Sequence, residues 1–170
     1  MAQRLFGTDG VRGRAGTYPL DVRTIRRLGG ALVRALPRVA SEHSLLVGRD
    51  TRESGGWMAR ELAHGARSAG GRVTSAGVIS TPAVAYLTRE ASFDAGVVIS
   101  ASHNPFEDNG IKVFARDGYK LPDHVEAEIE ALMASPELDA MRASPSDVGY
   151  SRKIEDSRGR YVVYCKATFP

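Results

Sequence analysis

The spacing of apolar and polar positions along the chain predicts four helices. Apolar residues recur every three or four positions in each of them, which is the spacing of one helical face. The predicted helices are residues 21–36, 54–69, 81–87 and a segment that starts at residue 123. Their inward-facing residues are Ile25, Leu28, Leu32 and Leu36 in the first helix, Trp57, Leu62, Ala66 and Ala69 in the second, and Val125, Ile129 and Leu132 or Met133 in the last.

Residues with capping preferences lie at the starts of these segments. Ser54 is a suitable N-cap for the second helix. Thr81 precedes Pro82, which is favoured in the first helical turn. Asp123 and Glu126 have the spacing of a capping box. These residues predict where three of the four helices begin.

Short apolar runs of strand length lie between the helices. They are residues 44–47, 72–76, 95–100 and 111–115. Helices that alternate with buried strands are typical of an α/β fold, with a mostly parallel sheet and helices on both faces. The last two strands are joined by a loop, residues 101–110, that has no helical pattern and ends in the turn dipeptide Asn109-Gly110. We therefore predict a mixed sheet with one antiparallel neighbour.

The pattern changes after about residue 135. The next dozen residues contain two Pro, several Ser and several charges, a composition typical of a linker. A further helix is predicted from Ser157 onward, with an apolar stripe formed by Tyr161, Tyr164, Cys165 and Phe169. We predict an α/β domain over residues 1–135, a linker over residues 136–156 and the start of a second domain over residues 157–170.

Composition limits the classes of protein to which the chain can belong. The 170 residues are 42% hydrophobic and 25% charged, an ordinary globular composition. No stretch approaches the roughly 18 apolar residues of a membrane span, and residues 1–5 do not open a secretory signal. The lone Cys165 excludes a disulfide framework within the chain and a cysteine-rich zinc site. We therefore expect a cytoplasmic protein without a membrane partner.

Charge is distributed unevenly along the chain. The formal net charge is +3, but the first 85 residues carry 13 basic and 6 acidic side chains, whereas the rest carry 10 and 14. Most of the basic residues are arginines, whose planar guanidinium binds phosphate well. They lie singly, without basic runs or interleaved aromatics, so we do not expect nucleic-acid binding. Solvated surface arginines and a site for a small phosphorylated ligand remain as interpretations.

One segment suited to chemistry is Ile99-Ser-Ala-Ser-His-Asn-Pro-Phe106. It follows a buried strand, and ligands of open α/β sheets bind where such strands end. Its Ser102 is a weak nucleophile unless a base, a metal or positive charge assists it. A strand-end turn of small polar residues is the alternative interpretation.

Other segments carry positive charge where an anion could bind. Phe6-Gly-Thr-Asp-Gly-Val-Arg-Gly13 combines three glycines with Arg12, although a glycine-rich surface loop would look similar. Lys112 alternates with the apolar Ile111 and Val113, and therefore faces solvent or a site. Arg49 and Arg52 follow a predicted strand and either serve a site or pair with nearby acidic residues. The pattern does not separate these alternatives.

Taken together and in order, these segments resemble the α-D-phosphohexomutases. The matching motifs are Phe6-Gly-Thr-Asp-Gly-Val-Arg-Gly13, Gly48-Arg-Asp-Thr-Arg52, Thr81-Pro-Ala83, Ile99-Ser-Ala-Ser-His-Asn-Pro105 and Asn109-Gly-Ile-Lys-Val113, which cover nearly the whole chain. The Thr-Asp-Gly-Val-Arg-Gly form is similar to the bacterial branch that acts on glucosamine phosphates. The phosphomannomutase and phosphoglucomutase branches are alternatives, as is an isolated domain that only binds or interacts.

The resemblance implies a role for each matching residue. Ser102 would be phosphorylated, would donate its phosphoryl group to a sugar monophosphate, and would recover one from a 1,6-bisphosphate intermediate. Arg12, Lys112 and His103 would be catalytic, with Lys112 a candidate for proton transfer and His103 beside the phosphoserine. Thr8, Asp9, Gly10 and Asn104 would bind phosphate and substrate. The implied reaction interconverts glucosamine 6-phosphate and glucosamine 1-phosphate, on the route to UDP-N-acetylglucosamine.

The resemblance also implies cofactors and partners. These are a phosphosugar substrate, glucosamine or glucose 1,6-bisphosphate as activator, and one Mg²⁺ with the Ser102 phosphate as a ligand. A homodimer of the whole enzyme is a state that the resemblance allows. Family members have four domains, and three of their motifs are missing here: the Asp-x-Asp-x-Asp-Arg metal loop, the Gly-Glu-x-Ser-Gly sugar loop and the Arg-x-Ser-Gly-Thr phosphate clamp. We therefore expect no turnover from these 170 residues alone.

Overall fold

Six strands of the described residues form one sheet. The computed structural model describes residues 4–37 and 42–169; residues 1–3, part of the segment in which no secretory signal is predicted, lie outside this range. The strands are β1 (Val11–Arg14), β2 (Ser44–Arg49), β3 (Arg72–Val78), β4 (Ala95–Ile99), β5 (Asp108–Ala115) and β6 (Ser151–Lys153). Their order across the sheet is β1-β5-β4-β2-β3-β6.

The sheet is mixed and mostly parallel. β4, β2, β3 and β6 run parallel to one another, whereas β5 is antiparallel to β4 and to β1. The predicted fold class is therefore confirmed. The prediction of a single antiparallel neighbour is wrong, because β1 adds a second antiparallel pairing on the outer side of β5.

Helices cover both faces of this sheet, as predicted. Within the described ranges they are α1 (Val22–Ala35), α2 (Glu53–Ser68), α3 (Thr81–Glu90), α4 (Asp123–Ala134), α5 (Glu137–Ala140) and α6 (Ser157–Ala167). α1, α2, α4 and α5 bury apolar side chains in the core on one face, and α3 does so in a second core on the other. α6 packs against α3. None of these helices has the length and apolar character needed to cross a bilayer.

Close contact between α1 and α2 depends on glycine. The predicted inward stripe of α1 is buried, and so are Leu62 and Ala66 of α2. A Cβ atom at Gly65 would overlap the backbone carbonyl of Arg26, and one at Gly29 would overlap that of Leu62. The two helix backbones can therefore approach this closely only where side chains are missing.

The observed helix caps differ from the predicted ones. The N-caps of α2, α3 and α4 are Arg52, Ser80 and Pro122, none of which makes a side-chain cap bond. The predicted caps Ser54, Thr81 and Asp123 are the first or second residues inside these helices. Ser54 instead accepts a hydrogen bond from Asn109, and Asp123 and Glu126 both bind Lys120. Partners from distant or preceding segments thus replace the predicted local bonds.

Long-range pairing also overrides the predicted loops. The prediction of a glycine-rich loop at the N-terminus is correct for the turn between Gly7 and Gly10, but the residues after it form β1. Asn109 and Gly110 lie inside β5, opposite Gly13 and Arg12, and do not form a turn. The hydrogen bonds of β1 explain the difference, because they satisfy this backbone in an extended conformation.

The segment predicted as a linker contains two short elements. α5 buries Leu138 in the core, and β6 pairs with β3 at the edge of the sheet. α6 then places the Tyr164 ring on that of Tyr86 in α3, with centroids 4.1 Å apart, while Phe169 of the predicted stripe stays exposed. These contacts extend the fold past residue 135, and the predicted domain boundaries stay a prediction.

Candidate active site

The carboxyl ends of β2 and β4 lie next to each other. The carbonyl of Ile99, at the end of β4, accepts a hydrogen bond of 3.0 Å from the N–H of Asp50, which follows β2. Residues 100–107, here called the serine loop, leave this point and lead into β5. The structure thus places Ser102 just beyond the end of a buried strand.

Ser102 is exposed, with a φ of 58°. Few residues other than glycine adopt this left-handed conformation, so the surrounding contacts have to hold it. Its N–H donates to Oγ of Ser100 at 3.1 Å, and the Ser100 N–H donates to the Gly110 carbonyl at 2.9 Å. Oγ of Ser102 lies 3.3 Å from Nδ1 of His103. The hydroxyl therefore faces solvent with an imidazole beside it.

Arg12 reaches the serine loop from β1. Its Nη1 donates to Oδ1 of Asn104 at 3.4 Å, and its Nη2 pairs with Asp9 at 3.0 Å. Nε is buried and has no hydrogen-bond partner among the described residues. The pairing of Arg12 opposite Gly110 brings this guanidinium to the loop. β1, which the sequence did not predict, therefore brings Arg12 to the loop that carries Ser102.

Lys112 points away from the core that buries its neighbours Ile111 and Val113. It is half-buried and stands opposite Val98 of β4 in the sheet. Among the described residues, Lys112 takes part in none of the ion pairs. Its positive charge is thus available to an anion on the side of the sheet opposite Ile111 and Val113.

The turn between Gly7 and Gly10 lies directly on β5. Two backbone hydrogen bonds close it, one of 3.0 Å from the Gly7 N–H and one of 3.2 Å from the Gly10 N–H. Gly10 has a φ of 87°, and a Cβ there would overlap the backbone of Ile111 and approach Cα of Lys112. Only glycine permits this approach. Thr8 lies at the exposed tip of the turn, and no hydrogen bond found among the described residues joins it to the serine loop.

Arg52 is the functional candidate that sequence reasoning left undecided. Its guanidinium contacts the main chain of the serine loop and of the first residue of β5. It donates to the carbonyls of Ser102, Asn104, Pro105 and Asp108. Its Nε also pairs with Asp50 at 3.2 Å, which is the local ion pair weighed as the alternative. The motif Gly48-Arg-Asp-Thr-Arg52 at the end of β2 was the available signal. The acceptors are main-chain oxygens, which no pattern of side chains reveals.

Asn109 fixes the far end of the serine loop. It is fully buried, its Nδ2 donates to Oγ of Ser54 at 2.8 Å, and its Oδ1 accepts from the Gly110 N–H at 2.8 Å. Asn104 donates to Asp108 at 3.4 Å, a long and weak bond. The start of β5 is therefore anchored to α2 as well as to the neighbouring strands.

The described residues do not assemble a metal site. They bring together no group of three His, Cys, Asp or Glu side chains that could hold a metal ion. Mg²⁺ requires near-octahedral coordination by oxygen atoms, usually including carboxylates and waters. The residues around Ser102 therefore do not fit a magnesium site by themselves.

A comparison with known families assigns the fold. The family model described as "Phosphoglucomutase/phosphomannomutase, alpha/beta/alpha domain I" matches residues 3–139. The chain belongs to this family. The match includes Arg12, the serine loop and Lys112, so all the candidate residues lie within the phosphoglucomutase/phosphomannomutase domain.

Relatives match this family domain over nearly the whole chain. Phosphoglucosamine mutase of Myxococcus xanthus is 47% identical over 169 residues, which are 99% of this chain and 37% of the relative. Phosphoglucosamine mutase of Sorangium cellulosum is 52% identical over 173 residues, covering 99% and 35%. A phosphoglucomutase/phosphomannomutase family protein from Burkholderia thailandensis has a TM-score of 0.73 at 26% identity, covering 99% of this chain and 36% of its own. The chain thus spans little more than a third of these relatives.

Proposed function

We propose that this chain is the phosphoserine-bearing first domain of a phosphoglucosamine mutase. The whole enzyme interconverts glucosamine 6-phosphate and glucosamine 1-phosphate in the cytoplasm. Support comes mainly from the exposed Ser102 hydroxyl at the end of β4, with Arg12 reaching the same loop. Identities of 47% and 52% to phosphoglucosamine mutases favour this sugar over the mannose and glucose alternatives.

Each half-reaction transfers one phosphoryl group. Ser102 starts with a phosphoryl group on Oγ, and a hydroxyl of the sugar monophosphate attacks the phosphorus. A P–O bond to the sugar forms, the P–Oγ bond breaks, and the hydroxyl proton passes to Oγ, with Lys112 as the relay. The bisphosphate then returns its other phosphoryl group to Oγ by the reverse steps, so the enzyme ends phosphorylated.

Positive charge is the main contribution of this domain. Phosphoserine carries about −1.5 to −2 charges at neutral pH, and the transferring group stays negative. Arg12 and Lys112 supply cations on the β1 and β5 side of Ser102, and Asp9 and Asn104 orient the guanidinium of Arg12. Gly10 lets the turn that precedes Arg12 lie directly on the backbone of β5 beside Lys112.

Magnesium enters this proposal through Ser102 alone. The phosphate on Ser102 offers one oxygen ligand, and a bound Mg²⁺ would withdraw charge from the phosphoryl group. The described residues supply no further set of ligands, so no step is assigned to the metal. For the same reason we expect no turnover by these 170 residues alone.

Phosphate mapping and a coupled assay test the proposal. Mass spectrometry of the full-length protein isolated from cells should place the phosphate on Ser102. With glucose 1,6-bisphosphate and Mg²⁺, that protein should turn over glucosamine phosphates faster than mannose or glucose phosphates. Ser102→Ala should abolish turnover, whereas Ser151→Ala, at an exposed position on β6, should not change it. A phosphate found only on another serine would contradict the assignment.

A further inference from the structure

The guanidinium of Arg52 uses all of its donors at one place. Nε donates to Oδ2 of Asp50 at 3.2 Å. Nη1 donates to the carbonyls of Pro105 and Asp108 at 2.5 and 3.1 Å, and Nη2 to those of Ser102 and Asn104 at 3.1 and 2.8 Å. An arginine side chain has five N–H donors, and five acceptors surround this one. The serine loop is therefore wrapped around a single guanidinium.

The guanidinium is itself held in place from β2. Oδ1 of Asp50 accepts the backbone N–H of Arg52 at 2.9 Å, while Oδ2 accepts Nε. The side chain of Arg52 is only 12% exposed. The N–H of Asp50 is bonded to Ile99, so the anchor is tied to the strand that carries the loop. Asp50 also neutralises the charge of Arg52. Arg52 therefore acts on the loop through its hydrogen bonds to the main-chain carbonyls.

The segment that Arg52 holds includes the backbone of Ser102, the residue proposed to carry the phosphate. The Ser102 carbonyl is one of the acceptors, and Ser102 has the left-handed φ of 58°. Residues other than glycine keep this conformation only where their surroundings enforce it. Arg52 binds the carbonyls of Ser102 and Asn104 and thereby helps to hold the backbone of Ser102 in this conformation.

We propose that Arg52 is a positioning residue: it fixes the serine loop in the conformation that presents Ser102 for phosphoryl transfer, without touching the reacting atoms. This role rests on the proposed mutase function for its chemistry. The loop geometry itself does not depend on that function. Lysine cannot replace Arg52, because an ammonium has three donors at one point, whereas the carbonyls lie around a planar fork.

Arg27 offers a matched control on the same chain. Its side chain is 13% exposed, and it also binds main-chain carbonyls, those of Met133 and Ser135, together with the carboxylate of Asp139. These contacts join α1 to the end of α4 and to α5, away from the serine loop. We therefore expect Arg27→Lys to lose a comparable set of contacts without altering the position of Ser102.

Hydrogen exchange on the 170-residue chain tests the geometry. The N–H groups of Asn104 and Asp108 bond to carbonyls within the loop, at 3.1 Å each. Arg52→Lys should lower their protection roughly tenfold relative to Arg27→Lys. Unchanged protection would overturn the proposal. If Arg52→Lys does not fold, as judged by circular dichroism, Asp50→Asn takes its place. It removes the charge and the second oxygen that accepts from Nε, keeps the guanidinium, and is judged by the same criterion.

Kinetics of the full-length enzyme tests the consequence for transfer. Arg52→Lys should lower kcat roughly 10- to 100-fold with KM changed by less than about twofold, because a misplaced Ser102 slows the transfer of the phosphoryl group to and from its Oγ. Arg27→Lys should leave both constants within about twofold. Loss of loop protection with an unchanged kcat would overturn the positioning role. An inactive wild-type enzyme would instead refute the proposed function, and hydrogen exchange would still decide whether Arg52 holds the loop.

Discussion

Substitution of Glu130 tests how the N-terminal segment is held for its part in the site. A single carboxylate oxygen of Glu130, Oε1, accepts the backbone N–H groups of Leu5 at 2.8 Å and of Phe6 at 2.7 Å. Phe6 is buried in the core and leads into the turn that precedes Arg12. Glu130→Ala removes both bonds, and we expect it to loosen this segment from α4.

The size of the effect follows from the two bonds. A hydrogen bond to a charged group contributes about 1.5–3 kcal/mol, and the lower value suits these partly buried bonds, so the loss is about 3 kcal/mol. Alanine has a better helix propensity than glutamate, but this offsets only about 0.3 kcal/mol of the loss. For a chain of this length, about 3 kcal/mol corresponds to a fall in Tm of roughly 6–12 °C.

Urea and thermal unfolding of the 170-residue chain, followed by circular dichroism, measure this loss. Glu130→Gln keeps an oxygen acceptor at the same place and should lose less than Glu130→Ala. Glu128→Ala is the control, because Glu128 is exposed on the same helix, and its effect should stay within about 0.5 kcal/mol. If Glu130→Ala unfolds at the same urea concentration as Glu128→Ala, the anchoring argument is wrong.

Two further predictions concern the helices that support the site. Gly65→Ala should destabilise the chain by about 1–3 kcal/mol in urea unfolding, because its Cβ would overlap the backbone of α1. Gly56→Ala, on the same helix where a Cβ has room, should instead stabilise it by up to about 1 kcal/mol, and equal effects would exclude the packing explanation. Burial acts to raise the pKa of Asp21, but hydrogen bonds from the Thr24 hydroxyl and backbone outweigh it and leave that pKa below its usual value. Asp21→Ala should therefore lose about 1 kcal/mol at neutral pH, since Asp21 caps α1. That difference from wild type should shrink as the pH falls below about 4, through the lowered folded-state pKa; a difference that persists at pH 2 would contradict it.

The parts of the fold that could be predicted are those with local signals. The buried stripe of α1 and the apolar runs of β2, β3 and β4 follow from residue spacing within each element. β1 has no such signal, because Val11–Arg14 contains one buried apolar residue and two arginines, and its partner strand lies far along the chain. The capping predictions were wrong for a related reason: the partner of Ser54 is a side chain on β5.

For the candidate site, the sequence likewise indicated the side chains but not all of the contacts between them. The motifs pointed to Ser102, Arg12 and Lys112. The structure places Lys112 on β5, Ser102 in the loop that enters β5, and Arg12 on β1 opposite β5. Arg52 was left undecided because its partners are carbonyl oxygens about 50 residues later, which are the same for every amino acid. Sequence shows which side chains are available for chemistry, whereas the contacts that orient them appear only when the backbone is placed.

The pairing of β5 with both of its neighbours has a mechanical consequence. Ser100 and Arg12 both bond or pair with Gly110, and Lys112 lies two residues further along the same strand. The backbone segments that lead to Ser102 and that carry Arg12 and Lys112 therefore share one hydrogen-bonded frame. In the proposed reaction, in which first one and then the other phosphate of a bisphosphate meets Ser102, this frame would stay fixed, so the bisphosphate itself would have to turn.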